Sequence, residues 1–405
     1  MKWVMNNTVR KLPITVTILF LLLWARYPIF EFIIGACYHV PLLKEFSPQI
    51  PDILIVTFAI LSLPYIVKRL RIQDVLFYVA IVVFYFISKY NHPGNFEALD
   101  YYTVPFLVVG LPYFFVGVTI DLKSLWRYLY YVSFASIIFK GVHTFMLGGV
   151  EVLESESMTA AYSILPHLLL VIWYTISQRK PWDLFAVVVG ILLLFAFGNR
   201  GTLMISAIFA SFCVLEVINQ SKKKKGGYIT IAVLAVLVVF FASSGIVDSI
   251  FSFLSSTGSS TRIFEKSQTD GFFSSEGRMD IFYLVIPAIL QNPFGLGIAG
   301  DRLLGVIYSH NIILEFLISF GWFFGTLLIL CVVIMFIKAL KRAPTIEHKI
   351  FLLLLLSSGV FKLMLSNTYL NDTFFYFMLG FCVAILRLPK QSSINKEINT
   401  DENNH

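Results

Sequence analysis

The stretch YSHNIILEFLISFGWFFG, from Tyr308 to Gly325, places a Ser-His-Asn triplet directly before a long apolar run. Apolar residues continue with few interruptions to residue 337, and about 20 such residues are enough for a helix to cross a lipid bilayer. The stretch therefore predicts a membrane-spanning helix whose first residues are polar. Because polar groups next to a membrane interior are costly and usually functional, we expect chemistry at this point.

The composition of the whole chain places it among membrane proteins. Of its 405 residues, 58% are hydrophobic and only 14% are charged, and the mean hydropathy is +0.80, which lies far outside the range of soluble globular domains. We predict an all-α polytopic integral membrane protein with about 12 transmembrane helices. The candidate spans are residues 13–36, 52–67, 74–89, 101–119, 125–147, 158–177, 182–197, 201–218, 228–247, 311–337, 349–365 and 373–387.

The distribution of basic residues predicts the orientation in the membrane. With the N-terminus in the cytoplasm, 21 Lys and Arg residues fall in segments on the cytoplasmic side, seven on the outside and three within spans. Because Lys and Arg are concentrated in cytoplasmic loops, both termini are expected in the cytoplasm. The formal net charge of +7 then reflects this topology and contact with the anionic lipid bilayer, so no nucleic-acid partner is expected.

One predicted loop, residues 248–309 on the outside, is far longer than the other connections. Loops of this length without secondary structure are uncommon and are usually functional. The tract FLSSTGSSTR near its start is expected to be flexible, whereas the apolar run Met279–Leu290 is too short to span and contains Pro287, so it predicts an interfacial helix. The chain is thus expected to form one transmembrane domain, residues 1–390, that contains this active-site loop and is followed by a disordered cytoplasmic tail, 391–405.

Three motifs occur in order in the second half of the chain. They are GNRGTLM (Gly198–Met204), EGRMDIF followed by NPFGLGIAGDR within the long loop, and SHNIILEFLISFGWFFG at the next helix. In this order, and all on the predicted outside face, they resemble the O-antigen ligase and polysaccharide polymerase superfamily. Its members share an (S/N)RG turn, a GR segment leading to an NP turn rich in glycine, and an HN-x-x-L element. The resemblance covers residues Leu184 to Leu340.

The resemblance implies an activity and its partners. Members of this superfamily transfer a glycan from undecaprenyl pyrophosphate to a sugar acceptor at the outer leaflet of the bacterial plasma (inner) membrane, with a GT-C-like helical fold and no metal ion or cofactor. The motifs are slightly closer to polymerases of O-antigen, capsule or exopolysaccharide, for which a chain-length regulator is a further partner, than to ligases that use an acceptor such as lipid A core. A twelve-span transporter or flippase is a second class, although the two halves show no internal repeat.

The residues that the resemblance implies for the chemistry are Arg200, Arg278 and His310. Guanidinium groups match the oxygens of a departing diphosphate in pairs and stay charged at any working pH. Ser309 is expected to cap the helix, so that His310, near the positive end of the helix dipole, stays neutral and positions or deprotonates the attacking hydroxyl. Structural alternatives are snorkelling of Arg200, pairing of Arg278 with a nearby carboxylate, and helix capping by His310.

Six further residues are expected to bind the substrates. Arg26, Lys140 and Lys362 fall within predicted spans, where a charge near the bilayer centre costs roughly 2.5 to 3.5 kcal/mol, and their similar depth predicts a wall for the carrier phosphates. Snorkelling, or pairing of Arg26 with Glu31, is the alternative. None of the seven histidines pairs with another at helical spacing, so no metal site is expected. The remaining three candidates lie in or beside the long loop: Arg302, Tyr308 and Asn311.

Overall fold

The computed structural model describes residues 12–28, 49–146, 150–197, 199–220 and 278–389. Within these ranges all regular secondary structure is helical. In chain order the described helices are α1 (Ile14–Trp24), α2 (Ile50–Arg69), α3 (Ile72–Asn91), α4 (Phe96–Val104), α5 (Tyr113–Thr119), α6 (Leu122–Met146), α7 (Val150–Gln178), α8 (Pro181–Ala196), α9 (Arg200–Gln220), α10 (Arg278–Gln291), α11 (Ile312–Arg342), α12 (Ile346–Leu356) and α13 (Thr373–Arg387). The predicted span at 228–247, the start of the long loop and the tail at 391–405 lie outside the described residues.

Six helical segments are long and apolar enough to cross a membrane, which confirms an all-helical membrane protein. They are Ile50–Arg69, Ile72–Asn91, Pro93–Thr119, Met158–Gln178, Arg200–Gln220 and Ile312–Arg342. The third is a composite, because a π-helical segment, Pro105–Gly110, joins α4 to α5. Four shorter apolar helices are Ile14–Trp24, Pro181–Ala196, Met279–Gln291 and Thr373–Arg387. The total of twelve spans stays a prediction.

The centre of the bundle is α7, and the helices around it face outward to different degrees. In the most apolar stretch of α7, 78% of the residues are buried, whereas in that of α2 only 11% are buried. Neighbouring helices α6, α8, α9 and α12 pack against α7, whereas much of α2 and α3 presents large apolar side chains to the exterior. A helix that is apolar all round belongs in a protein core or in lipid, so the exposed faces of α2 and α3 fit contact with acyl chains.

One end of the bundle, which we call the basic end, is fastened by ion pairs between helix termini. Arg387 at the end of α13 binds both carboxylate oxygens of Asp74 at the start of α3, with Nη1 to Oδ2 at 2.8 Å. Arg342 at the end of α11 donates to the carbonyl of Leu388 at 2.9 Å. Lys349 in α12 lies 3.2 Å from the carboxylate of Glu216 in α9. These contacts hold the far ends of the helices whose opposite ends carry the predicted site.

The helix α11 is broken at Gly321. This residue has φ 77° and ψ 163°, so the backbone leaves the helical path there. Carbonyl groups beside the break accept hydrogen bonds from the glycine-rich loop. Leu296 N donates to Ile318 O at 2.7 Å, and Gly297 N donates to Ser319 O at 3.1 Å. A broken membrane helix is tolerated where other protein groups bind the freed backbone in this way.

The same loop is held on its other side by α3 and the turn that follows it. Asn95 Nδ2 donates to the carbonyls of Leu296 and Ile298 at 2.8 and 3.0 Å, and Ile298 N donates to Ser88 Oγ at 2.9 Å. The helix α10, predicted as interfacial, packs through Val285 on the first part of α11. Loop 292–300 is therefore fixed between two helices, and it sets the position of the residues that lead into α11.

Substitution of Gly321 by alanine should disrupt this arrangement. A Cβ atom there would lie 2.0 Å from Pro293 O, and a residue with a side chain disfavours the left-handed φ. We expect Gly321→Ala to give little monodisperse protein or a much lower melting temperature in detergent. Gly305→Ala is the matched control, because Gly305 has φ 76° but nothing lies within 4 Å of an added Cβ, so it should lose only about 1 to 2 kcal/mol. Equal melting temperatures for the two variants would contradict the account.

Candidate functional site

The Ser-His-Asn triplet sits at the start of α11, but the cap is not the residue expected. Asn311 caps the helix, since its Oδ1 accepts from Ile313 N at 2.9 Å and Leu314 N at 3.4 Å. The prediction that Ser309 is the cap was wrong, because its hydroxyl donates elsewhere. His310 therefore precedes the helix instead of beginning it, and it has φ 52°. A left-handed conformation is uncommon for a residue with a side chain, and strained residues of this kind are enriched at functional sites.

Three of the predicted residues meet beside the helix start. The rings of Tyr308 and His310 have centroids 4.2 Å apart. The guanidinium of Arg302 stands 6.0 Å from the Tyr308 centroid and 5.2 Å from that of Tyr102, and its Nη2 donates to the Tyr102 hydroxyl at 2.8 Å. Arg302, Tyr308 and His310 thus form one continuous group of a cation, a phenol and an imidazole.

A buried carboxylate lies behind this group. Asp301 is fully buried, and its Oδ2 accepts from the hydroxyl of Ser309 at 2.8 Å. Arg302 Nη1 lies 3.8 Å from the same oxygen. The contact with Ser309 closes a loop of nine residues, 301–309, and it explains why the serine hydroxyl is not available as a helix cap.

Glu315, one turn into α11, connects the helix start to the segment between α12 and α13. Its carboxylate accepts from the Thr368 hydroxyl and, at 3.3 Å, from the backbone N–H of Tyr369. Glu315 is buried, so these bonds satisfy a group that burial would otherwise penalise. We refer to residues 362–372, which contain both donors, as the connecting segment.

A second group of cations lies at the other side of the connecting segment. Lys362 forms an ion pair with the buried carboxylate of Asp372, with Nζ to Oδ2 at 2.8 Å, and its Nζ stands 5.5 Å from the Tyr162 ring centroid. Lys140 is only 5% exposed, with Nζ 5.5 Å from the centroid of Phe197. Arg200 follows Phe197 by three residues as the first residue of α9, and its Nη2 is buried.

The connecting segment brings three helix N-termini to the same end of the bundle. The cap of α9 is Asn199, whose Oδ1 accepts from Thr202 N at 3.2 Å, and the cap of α13 is Asp372, whose Oδ1 accepts from Phe375 N at 2.8 Å. A Cβ at Gly201 in α9 would lie 3.1 Å from Leu365 of the connecting segment. Together with α11, these helices direct positive dipole ends and four cationic side chains toward one region: Lys140, Arg200, Arg302 and Lys362.

Two of the predicted residues are not placed in this region by the described contacts. Arg26 follows the end of α1 at Trp24 and pairs with Asp52 in the first turn of α2, with Nη2 to Oδ1 at 2.9 Å. It therefore lies beyond a helix end, and not within a helix as the sequence pattern indicated. Arg278 is the first residue of α10, but its side chain lies outside the described residues, as does the alternative Arg26 partner Glu31.

Several residues that organise the site were missed or given minor roles in the sequence analysis. Thr368, Asp372 and Tyr102 were not singled out, and Asp301 and Glu315, which the sequence marks only as structural or sugar-contacting candidates, were assigned no partner. For Asp372 a local signal existed, since Asp before an apolar run is a frequent helix cap. Among the described residues, no cluster of three or more His, Cys, Asp or Glu side chains is placed to hold a metal ion.

Comparison of the chain with protein-family models, with curated proteins and with solved structures finds no match. The relation to the O-antigen ligase and polysaccharide polymerase superfamily therefore rests on the three motifs and stays a prediction. The geometry of the site provides a separate line of argument about function.

Loss of Lys362 alone should lower the stability of the protein more than loss of both charges of the Lys362–Asp372 ion pair. Lys362→Met leaves a buried carboxylate without its cation, which typically costs about 3 to 5 kcal/mol. In Lys362→Met/Asp372→Asn the charge is gone and the asparagine can still cap α13, so the melting temperature in detergent should recover most of the loss. Asp52→Asn is a control, because it removes an exposed partner of Arg26 and should cost at most about 1 kcal/mol. A double variant as unstable as Lys362→Met would refute this interpretation.

Proposed function

We propose that this chain is a bacterial glycosyltransferase that joins undecaprenyl-pyrophosphate-linked oligosaccharide repeat units at the outer leaflet of the plasma membrane. The observation that supports it best is that one buried lysine, three partly buried cations, three helix N-termini and a histidine lie at the end of the bundle opposite the basic end. Such an end attracts an anion at membrane depth. A lipid-linked diphosphate is an anion whose position is fixed at that depth by its polyprenyl chain.

The leaving group sets the first chemical requirement. Displacement at the anomeric carbon breaks the bond between the sugar and the diphosphate, and negative charge develops on the departing oxygen. Preorganised cations and helix dipoles stabilise such charge most effectively in a site with little water. Arg200 and Lys362, with Lys140 and the side chain of Arg278, are the residues that we assign to this role, so that no step requires a metal ion.

The acceptor hydroxyl sets the second requirement, because it must approach the anomeric carbon from the opposite face. His310 stands directly before the N-terminus of α11, with its ring beside that of Tyr308. The neutral ring can accept a hydrogen bond from the hydroxyl and take its proton during transfer. Asn311 Oδ1 is engaged in capping, so its amide nitrogen is the group that we assign to sugar binding, and Arg302 and Tyr308 extend the surface for the glycan.

Membrane vesicles supplied with radiolabelled lipid-linked repeat units test the proposed reaction. For a polymerase we expect a ladder of longer glycans, each still linked to one carrier. A glycan that appears on a second lipid acceptor instead identifies a ligase. Movement of the repeat unit across the membrane without lengthening identifies a flippase and contradicts a transferase.

Single variants test the assigned roles in the same assay. Arg200→Ala, Arg278→Ala and His310→Ala should each abolish the ladder, while the protein still inserts and keeps its melting temperature. Arg200→Lys should restore only part of the activity, because an ammonium lacks the paired donors of a guanidinium. Arg342→Ala is the control at the basic end and should leave ladder length unchanged. A wild-type ladder from any of the three alanine variants removes that residue from the site.

A further inference from the structure

The carboxylate of Asp301 has no part in the reaction proposed above, yet it is kept in an unfavourable environment. The residue is fully buried, and its Oδ1 makes no hydrogen bond with the part of the chain that the structure describes. The buried carboxylate of Glu315 is also near enough to interact with it electrostatically. A buried carboxylate oxygen without a hydrogen bond costs free energy, and so does a second carboxylate nearby. Features that cost stability in this way cluster at functional sites.

Asp301 contacts Ser309, which precedes His310 in the chain, and Arg302, which lies over the Tyr308 ring beside His310. On the chain side, its Oδ2 accepts from the hydroxyl of Ser309, the residue before His310, at 2.8 Å. On the ring side, the same oxygen faces Arg302 Nη1 at 3.8 Å, and the Arg302 guanidinium lies over Tyr308, whose ring contacts His310. One buried anion therefore contacts the residue before His310 and, through Arg302, the aromatic ring beside the imidazole.

The backbone at His310 needs such an anchor. Its φ of 52° is unfavourable for a residue with a Cβ atom, and Ala299, two residues before Asp301, has φ 60°. Strained residues persist only where the surrounding contacts over-determine their conformation. The bond from Ser309 to Asp301 on one side and the Asn311 cap on the other provide this constraint, so loss of the first should release the imidazole from Tyr308.

We propose that Asp301 is the positioning residue of His310: it holds Ser309 and Arg302 so that the imidazole keeps one orientation toward the acceptor hydroxyl. The role in transfer rests on the function proposed above, whereas the effect on His310 orientation does not. Asp301 touches neither substrate, and it acts only through its two neighbours.

Two variants weaken the two contacts of Asp301 separately. Asp301→Asn keeps the size of the side chain and can still accept from the Ser309 hydroxyl, but it removes the charge that faces Arg302, whereas Ser309→Ala removes the hydroxyl donor. Asp121→Asn is a matched control at the basic end, because Asp121 also accepts from a serine hydroxyl, that of Ser124 at 3.2 Å, and faces Arg69 at 4.0 Å. Melting temperatures identify any variant that is unfolded. If one of the two site variants is unfolded, the other is used for the test.

The first measurement is the rate at which diethyl pyrocarbonate modifies His310 in the purified full-length protein, followed by mass spectrometry of the peptide. This readout does not depend on activity. We expect severalfold faster modification in Asp301→Asn and in Ser309→Ala, a larger increase in the double variant, and the wild-type rate in Asp121→Asn. Wild-type rates in both folded site variants would overturn the proposal.

The second measurement is the transfer assay with lipid-linked repeat units. Misplacement of a reacting group reduces kcat, so we expect kcat to fall between about tenfold and about 100-fold with little change in KM for the acceptor. If the wild type transfers and both folded variants keep its kcat, the positioning role is overturned and the proposed function stands. If the wild type transfers nothing but modification of His310 changes as expected, the proposed function fails and the structural role of Asp301 stands.

Discussion

The break in α11 at Gly321 is the constraint on which the rest of the site depends. It frees the carbonyls of Ile318 and Ser319 inside an apolar environment, where unpaired backbone groups are costly. The N–H groups of Leu296 and Gly297 bind these carbonyls, so the loop and the helix are expected to form together. The residues that follow the loop, through His310, are then confined to the end of the bundle where the break places them.

Electrostatics at this end complement the backbone geometry. Lys362 pairs with Asp372 at 2.8 Å and Arg302 faces Asp301 at 3.8 Å, so buried anions balance two of the cations. Lys140 adds a further, buried cation. Because helix dipoles from α9, α11 and α13 add to these charges, the region favours an anionic ligand. At the basic end, in contrast, the charged side chains bind carboxylates or backbone carbonyls of neighbouring helix termini.

The sequence predicted helices and groupings of residues that are close in the chain better than it predicted contacts between different helices. Long apolar runs identify membrane helices, and the clustering of Arg302 and Tyr308 with His310 follows from their proximity in the chain. The cap was assigned wrongly, because Ser309 and Asn311 are equally good local candidates and the choice is made by Asp301, which takes the serine hydroxyl. The pairing of Lys362 with Asp372 and of Glu315 with Thr368 depends on how the helices pack. The hydrophobic periodicity of the sequence does not specify this packing.

The most direct test of the account is the side of the membrane that the site faces. In a variant that lacks the four native cysteines, Ile307→Cys places a thiol at an exposed position beside Tyr308, and Leu388→Cys places one at the basic end. A membrane-impermeant maleimide applied to intact cells should label position 307 at once and position 388 only after permeabilisation. Labelling of position 307 only after permeabilisation would place the cations and His310 on the cytoplasmic side, where an outer-leaflet transferase cannot work.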